Sequence, residues 1–428
     1  MIEAKDILTS LGIPGDKISH LYVDDEDEIL SYYVELKDLR PCCPICGCSD
    51  TKIKGYYETK IRHSIFGTRK YTYVFIKNRR YVCLKCKKTF KQEIDIANKG
   101  SSISNQTKFI ISEDLKTKKT IIQIAKERNV SSTTVRKILD EAVRYQPQLS
   151  FPEVICIDEF CYKHSASKEG KYPTVISNPF TGDIIDIVIS RWKKVLMEYF
   201  NKVKTKDRSN VKYFVSDMNE TYRQIKRMYF YDATHVIDRF HLIKAFNEAI
   251  TRIRTRILKQ EIYYNDKEYR YLKKNWKIFL MNRDKAEEKN VVDKYGIVTP
   301  LSVQIDRCIQ KYPDLYYAYW TKQEFLKDTK KLMLYVEAEK VVNFYLNKLN
   351  GNQIEEMHAI GKTFKNWKLE IINGLIKNPY QRRLTNAIAE SNNNYIQTLI
   401  DASYGLPVFE RMRKRVLYIN RNRTKQKD

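Results

Sequence analysis

Through its middle third the chain alternates short apolar runs with stretches of helical periodicity. Apolar runs bounded by polar residues predict five strands, at 153–158, 172–178, 183–190, 211–217 and 233–237. Two amphipathic helices are expected between them, near 193–205 and 219–229. Three strands in hairpin connection, followed by β-α-β units, are typical of a mixed sheet with an antiparallel edge. The pattern therefore predicts an α/β domain with a mixed five-stranded sheet.

Three acidic residues stand where a carboxylate is costly. Asp158 and Asp217 close the first and fourth predicted strands, and Glu390 lies in a predicted helix on the same face as Asn386 and Asn394. A carboxylate at the end of a buried strand needs a partner, hydrogen bonds or a metal ion. Together the three are able to hold two Mg²⁺ ions, whose preferred ligands are carboxylate, water and phosphate oxygens. The alternative for each acid alone is an ordinary strand-end or turn residue.

The order of the predicted strands describes the RNase H-like fold. In that fold the first and fourth strands are neighbours, so Asp158 and Asp217 are expected to converge. Asp217 and Glu390 are 173 residues apart (390 − 217), which is too long for one connection in a compact domain. Because residues 244–375 read as mainly helical, we expect an all-helical insertion between the fifth strand and the helix of Glu390.

Residues 120–139 carry a different pattern, two short amphipathic helices joined by a tight turn around Asn129 and Val130. Ser131 and Ser132 offer N-caps for the second helix. This is the layout of a helix-turn-helix domain, in which the second helix enters the DNA groove. The residues expected on its DNA-facing side are Ser132, Thr133, Thr134, Arg136 and Lys137. The alternative is a generic helical hairpin.

Two C-x-x-C pairs precede this region. Their spacing is that of four thiolates around one structural Zn²⁺. The expected ligands are Cys43, Cys46, Cys83 and Cys86. Cys42 and Cys48 leave open which thiols bind. Strand-like stretches between the pairs, 70–76 and 79–82, predict a zinc ribbon with an enlarged hairpin. Its basic residues are expected to lie along DNA phosphates, and they are Lys60, Arg62, Arg69 and Lys70.

The amino-acid composition indicates what kind of partner the protein binds. The 428 residues include 78 Lys and Arg against 52 Asp and Glu, a net charge of +26 that favours a polyanion, although AT-rich coding also enriches Lys. The chain has no leading apolar segment and no run of about 18 apolar residues, so we expect a cytoplasmic protein without membrane spans. Nine cysteines without an export signal indicate a reducing compartment and metal ligation rather than disulfides.

These patterns divide the chain into six predicted parts. They are an N-terminal segment (1–38), the zinc ribbon (39–98), the helix-turn-helix domain (99–148), the RNase H-like domain in two pieces (149–243 and 376–420), the helical insertion (244–375) and a basic tail (421–428).

The motifs, taken in this order, resemble those of a known family. After the cysteine pairs and the helix pair come I-D-E-F, S-D-M, H-V-I-D-R-F-H and T-N-A-x-A-E-x-x-N. The series is similar to the ISL3 family of bacterial insertion-sequence transposases, which are DDE enzymes. The resemblance covers nearly the whole chain, and several motifs in fixed order are far more specific than any one of them.

The resemblance implies an activity. Asp158, Asp217 and Glu390 become the catalytic triad, which binds two Mg²⁺ ions, with Mn²⁺ as a possible substitute. Asp238 and His241 match the signature that opens the helical insertion in such enzymes, although taken alone they read as a buried structural pair. The implied enzyme binds terminal inverted repeats, cleaves double-stranded DNA at the element ends and joins the 3′-OH ends to target DNA. It acts as a homodimer or larger assembly in association with the bacterial nucleoid.

Two other classes remain open. One is a DNA-binding regulator whose nuclease domain is inert, which keeps the DNA-reading modules but does not cleave. The other is a structure-specific nuclease with an RNase H-like fold, which nicks branched DNA and never joins ends.

Overall fold

A computed structural model of the protein describes residue 11 and residues 13–65, 70–92, 96–144, 150–163, 171–260, 267–292, 296–403 and 408–424. Arg69 and the end of the predicted basic tail lie outside these residues. The chain divides into two compact units, one formed by Met1–Gln148 with Ile396–Asp428 and the other by Leu149–Tyr395. Over the described residues, no helix has both the length and the apolar content needed to cross a membrane.

The first unit contains a five-stranded sheet. Its strands are β1 (Ile18–Asp25), β2 (Ile29–Leu36), β3 (Thr51–His63), β4 (Tyr71–Cys83) and β5 (Thr89–Lys91). The order is β1-β2-β4-β3, and β5 also pairs with β4. Strands β3 and β4 form an antiparallel hairpin. The two predicted strand-like stretches, 70–76 and 79–82, both fall in β4, and β3 was not predicted. Strands β1 and β2 fall in a segment for which the sequence pattern predicted no strands.

Three helices follow the sheet, α1 (Asn105–Asp114), α2 (Ile121–Glu127) and α3 (Ser132–Arg144). Thr120 and Gln123 form a capping box at the start of α2. The Ser131 hydroxyl caps α3 by accepting from the Thr134 backbone N–H at 3.1 Å. Asn129 takes φ +49° in the turn, a conformation that asparagine tolerates better than most residues. Both predicted helices and the serine cap are therefore confirmed.

A later helix, α16 (Phe409–Thr424), completes the core of this helical group. Tyr418 is buried among the apolar side chains of α1, α2 and α3. Arg415 is fully buried and donates hydrogen bonds to the backbone carbonyl oxygens of Thr117 and Lys119. The helical group is thus held together in part by a contact between Arg415 and Thr117, which are 298 positions apart in the chain.

The second unit is built on a second five-stranded sheet. Its strands are β6 (Val154–Glu159), β7 (Thr174–Ser177), β8 (Ile184–Val188), β9 (Tyr213–Ser216) and β10 (Thr234–Ile237). Their order is β10-β9-β6-β7-β8, with β7 antiparallel to both neighbours and β9 parallel to β6 and β10. Helices α4 (Lys193–Lys202), α5 (Thr205–Arg208) and α6 (Glu220–Tyr229) connect the strands. All five predicted strands and the mixed α/β sheet are confirmed.

A mainly helical region follows β10. Its helices are α7 (Arg239–Ile257), α8 (Lys267–Lys274), α9 (Arg283–Glu287), α10 (Leu301–Ile309), α11 (Pro313–Asp328), α12 (Tyr335–Asn350), α13 (Glu355–Asn366) and α14 (Lys368–Leu375). The region also contains two antiparallel three-residue strands, β11 (Asn290–Val292) and β12 (Val298–Pro300). The expectation of an all-helical insertion is therefore wrong: both strands contain β-branched residues, which favour strands, and Gly296, two residues before β12, has φ +79°.

Two further helices are set by their approach to the sheet. Helix α14 lies so close to β10 that a Cβ atom added at Gly374 would come within 2.3 Å of the Ile237 carbonyl oxygen. Helix α15 (Ala387–Ala402) carries Glu390 in its first turn. Asn386 therefore precedes the helix instead of lying on its face, and its carbonyl oxygen accepts from the Glu390 backbone N–H at 2.9 Å.

Candidate metal and catalytic centres

Asp158 and Asp217 extend from adjacent parallel strands at the same level. Val154 pairs with Tyr213 and Cys156 with Val215 in the register of β6 and β9. Both acids continue this register by two residues, so the pairing places their backbones side by side at the carboxyl end of the strands. Such an edge is where open α/β sheets build their sites. The convergence expected from strand order is present in the structure.

Helix α15 is anchored so that Glu390 comes to the same edge. The Asn386 backbone N–H donates to Asp238 Oδ2 at 2.7 Å, and its side-chain Nδ2 donates to the Ile157 carbonyl oxygen at 3.4 Å. Asp238 is only 3% exposed, and its Oδ1 accepts from the Phe240 backbone N–H, which caps α7. Asp238 thus joins the beginnings of two helices.

His241 lies half-buried in the first turn of α7. Burial lowers the pKa of its imidazole, so it is neutral near pH 7. Its Nε2 is buried and lacks a hydrogen-bond partner among the described residues. The hydrogen bonds of Asp238 fit the structural reading of this pair.

Asn393, the last residue of the T-N-A-x-A-E-x-x-N motif, contacts Asp158, and the sequence analysis gave it no role of its own. Its Nδ2 donates to Asp158 Oδ2 at 2.9 Å and to the Glu159 carbonyl oxygen at 3.3 Å. Asn394, which the helical pattern placed beside Glu390, is exposed instead. The period of 3.6 residues puts both i+3 and i+4 near the face of Glu390, and only tertiary packing selects between them.

Glu159 was also missed, and its environment differs from that of Asp158. Its Oε1 accepts from Arg191 Nη1 at 2.6 Å and its Oε2 from the Tyr222 hydroxyl at 2.7 Å. The Arg191 guanidinium also lies over the Tyr172 ring, 4.7 Å from its centroid. Glu159 is therefore paired on both oxygens. No sequence signal indicates this pairing, because the partners come from three different elements.

The three predicted acids share an unfavourable electrostatic environment. Burial, with the negative charges of Glu159 and Glu390, raises the pKa of Asp158 to about 6. Burial, with Glu159 and Asp158, raises the pKa of Asp217 to about 7. The pKa of Glu390 is also raised, by burial and by Asp238. A bound cation reverses this penalty, because it favours the charged form of every carboxylate around it.

The donors at this edge fit a hard divalent cation. Asp217 Oδ1 is buried without a hydrogen-bond partner among the described residues, so it is available to a ligand. Carboxylate oxygens are the ligands that Mg²⁺ and Mn²⁺ prefer. Among the described residues, the acids form no compact group of three or more candidate metal ligands, so the carboxylates form an open group.

The cysteines behave differently. The Sγ atoms of Cys43, Cys46, Cys83 and Cys86 all lie within 4.8 Å of one another. Cys43 Sγ is 3.6 Å from Cys86 Sγ, and the Cys46 and Cys83 sulfurs are separated by the same distance. Four clustered sulfurs are the donor set of a structural Zn²⁺ site. Cys42 and Cys48 lie outside this group, which removes the ambiguity left by the sequence.

Two equivalent turns present these sulfurs. The Gly47 backbone N–H donates to the Cys43 carbonyl oxygen at 2.8 Å, and Lys87 makes the same bond to Cys83 at 3.0 Å. Gly47 has φ +69° and Lys87 φ +57°, so both turns reverse through a left-handed residue. The match between the turns explains how two short motifs, one before β3 and one at the end of β4, face each other.

The predicted DNA contacts of the hairpin have mixed environments. Arg62 is exposed on β3. Lys70 is engaged with Asp25, whose Oδ1 lies 2.6 Å from its Nζ. Lys60 Nζ lies over the Tyr73 ring, 4.1 Å from its centroid. Of these three residues, Arg62 is therefore the most accessible to a ligand.

The predicted contacts of α3 lie in its first two turns. Thr133 and Lys137 are exposed there, while Ser132, Thr134 and Arg136 are half-buried. Thr134 is occupied in the cap, with its hydroxyl 3.0 Å from that of Ser131. Thr133 and Lys137 are thus the two of this set most accessible to a ligand.

Comparison with protein families identifies a transposase family. A family model of transposases, the ISL3 group of DDE type, matches residues 155–416, which is more than half of the chain. The matched segment contains Asp158, Asp217 and Glu390. No curated protein is similar enough to count as a match.

Proposed function

The chain belongs to the ISL3 family of transposases, and from that premise we propose that it cleaves DNA at the ends of an insertion sequence and joins the ends to target DNA. We further propose that its second unit is an RNase H-like domain, interrupted by the helical region, with Asp158, Asp217 and Glu390 as the catalytic triad. The domain boundaries predicted from the sequence are part of this proposal, with one correction: residues 396–420, predicted to belong to the catalytic domain, lie in the first unit, where α16 packs into the helical core.

One observation carries the catalytic assignment. Asp158 in β6 and Asp217, directly after β9, continue the register of these adjacent parallel strands, and the carboxylates of both are destabilised by burial and by neighbouring acids. Such an arrangement is unfavourable in a purely structural role, since it costs folding energy without pairing the charges. Strongly perturbed acids in a shared site favour function.

The residues that would hold the metal ions are Asp158, Asp217 and Glu390. Two Mg²⁺ ions there would supply a water-derived nucleophile and charge stabilisation for in-line attack on a phosphodiester. Asp217 offers an unpartnered oxygen. Glu390 enters from α15, whose start is tied to Ile157 and Asp238. The chain's part in catalysis is to position these oxygens and to bind the DNA, so no protein nucleophile is required.

DNA reading is assigned to the first unit. Helices α2 and α3 would form a helix-turn-helix domain, with Thr133 and Lys137 on the exposed start of the recognition helix. The four-cysteine cluster would bind one structural Zn²⁺, and Arg62 would contact phosphates from the hairpin. Two inverted repeats per element require at least a dimer, with each protomer reading one end.

The catalytic proposal is tested by Asp158→Asn. On duplex DNA carrying the element's ends, this variant should lose Mg²⁺-dependent cleavage by more than the about 100-fold that an outer-shell change costs. Binding of the same DNA should persist in a gel-shift assay. The double variant with Asp217→Asn should be no worse than either single variant, because the ligands act as a unit.

A matched control lies near the amino ends of the parallel strands of the same sheet, opposite the carboxyl ends that carry Asp158 and Asp217. Asp232 is exposed and precedes β10 at its amino end. Asp232→Asn should therefore cleave like the unmodified protein. Cleavage by Asp158→Asn at the rate of Asp232→Asn would contradict the assignment. Absence of cleavage by the unmodified protein, with end binding intact, would favour a DNA-binding regulator whose nuclease domain is inert.

A further inference from the structure

Helix α15 brings a second polar group to the carboxylate edge, one turn after Glu390. Asn393 Nδ2 is 2.9 Å from Asp158 Oδ2 and 3.3 Å from the Glu159 carbonyl oxygen. A side-chain amide N–H that donates to a carboxylate fixes its orientation and stabilises its charged form. Glu390 and Asp158 are therefore linked through one rigid helical turn, although 232 residues separate them (390 − 158).

The other half of the Asn393 amide is also informative. Its Oδ1 is buried and has no hydrogen-bond partner among the described residues. A buried acceptor without a partner costs free energy, so its retention calls for a ligand. Asp217 Oδ1, from the strand beside that of Asp158, is orphaned in the same way. An amide oxygen accepts hydrogen bonds from water and is a hard ligand of the kind Mg²⁺ and Mn²⁺ accept.

The adjacent residue shows what a purely structural asparagine looks like on this helix. Asn392 is buried, and its Nδ2 donates to Ser177 Oγ at 3.0 Å and to the Gly182 carbonyl oxygen at 3.2 Å. These partners belong to the antiparallel side of the sheet and not to the carboxylate group. Asn392 therefore anchors α15 without touching an acid.

We propose that Asn393 is a positioning residue of the carboxylate site, a role that rests on the function proposed above. Its Nδ2 holds Asp158 in the orientation that binds a divalent cation, and its Oδ1 accepts a hydrogen bond from water in the site. Asn393 thus sets the geometry of a ligand contributed by a different element.

The proposal predicts a specific loss. Removing the amide should weaken divalent-cation binding by about 10- to 100-fold, the usual cost of losing an outer-shell partner. The Mg²⁺ concentration for half-maximal cleavage should rise by a similar factor. Binding to end DNA should not change, because Asn393 is not among the residues proposed to contact DNA.

The experiment compares Asn393→Leu with Asn392→Ala in the full chain, with zinc already bound at the cysteines. Leucine keeps the approximate volume but has no donor or acceptor, and Asn393→Ala serves as a second variant should leucine impair folding. Calorimetric titration with Mn²⁺ measures cation affinity without relying on activity, and thermal melting measures stability. We expect Asn393→Leu to weaken Mn²⁺ binding, and Asn392→Ala to lower Tm while leaving Mn²⁺ affinity unchanged.

Two results would overturn the inference. Asp158→Asn, measured in the same titration, tests the carboxylate site itself and so separates these results from a failure of the proposed function. If Asp158→Asn loses Mn²⁺ binding while both Asn393 variants retain it, Asn393 has no positioning role. If Asn392→Ala weakens Mn²⁺ binding as much as Asn393→Leu, the effect is general loosening of α15. If Asp158→Asn itself binds Mn²⁺ normally, the carboxylate site itself is wrong.

Discussion

The cysteine cluster and the carboxylate group are two candidate metal centres built on opposite plans. The cysteines come from two matching turns, and their four sulfurs already lie within 4.8 Å of one another. The acids come from two strand ends and a distant helix, and over the described residues they form no group that tight. Closed four-ligand sites are typical of structural metals, whereas catalytic sites leave positions open for substrate. The comparison teaches that the two centres differ in preorganisation as well as in ligand chemistry.

The energetic consequences differ as well. Bringing Asp158 and Asp217 together raises the pKa of each, so the uncharged protonated forms are favoured by the fold. The protein therefore pays a stability cost at the carboxylate edge. Cation binding offsets that cost, which couples occupancy of the site to the charge state of the acids.

The largest expected effect tests the closed centre. Replacing Cys83 and Cys86 together with Ser removes half of the sulfur ligands. Purified protein should contain about one zinc per chain, and the double variant about none. Atomic absorption measures this directly. A Cys42→Ser variant is the matched control and should keep its zinc, since Cys42 lies outside the cluster. Unchanged zinc in the double variant would show that these cysteines do not bind it.

A smaller effect is expected from replacing Arg415. This residue shows that the first unit depends on contacts between segments that are distant in the chain. Arg415→Met removes the donors to the Thr117 and Lys119 carbonyl oxygens and leaves both without that partner. The cost should be about 2–4 kcal/mol of unfolding free energy, measured by denaturant titration. Lys414→Met, which breaks only an exposed ion pair with Asp140, should cost less than about 1 kcal/mol. Similar losses for the two variants would contradict the role assigned to Arg415.

The smallest effect concerns DNA reading by α3. Arg136→Ala with Lys137→Ala should weaken binding to the element's ends and reduce the salt dependence by about one unit of slope per lost phosphate contact. Fluorescence anisotropy at several salt concentrations gives both quantities. Lys118→Ala with Lys126→Ala removes the same charge outside α3 and controls for net charge. If affinity and slope match those of the control, α2 and α3 are a structural hairpin.

A contrast between local signals and distant contacts also explains which features the sequence predicts. The cysteine spacing, the five strands of the second unit and the cap at Ser131 are local signals, and the structure bears them out. The contact of Asn393 with Asp158 and the contact of Glu159 with Arg191 join elements that are distant in the chain. No local periodicity in the sequence indicates either contact. The place of Tyr418 in the core of α1 to α3 is equally invisible, because an apolar helix face does not specify which surface it covers.

Two other misses have local causes. Strands β1 and β2 were not predicted, since acidic residues interrupt the apolar alternation around residues 24–28. The β11–β12 pair was missed because three-residue strands are too short to show a period against a helical background. Helical periodicity over a long region is therefore a good guide to its dominant structure and a poor one to short interruptions.

Glu390→Gln is the measurement that tests the catalytic triad most directly, because this assignment depends on the whole helical region being interpreted correctly. The variant keeps the side-chain size and removes one charge, so end binding should persist while Mg²⁺-dependent cleavage and end joining are lost. Asp401→Asn is the control on the same helix, where the carboxylate accepts from Gln397 Nε2 at 2.8 Å, and it should cleave normally. Cleavage by Glu390→Gln at the unmodified rate would remove this glutamate from the site and contradict the account.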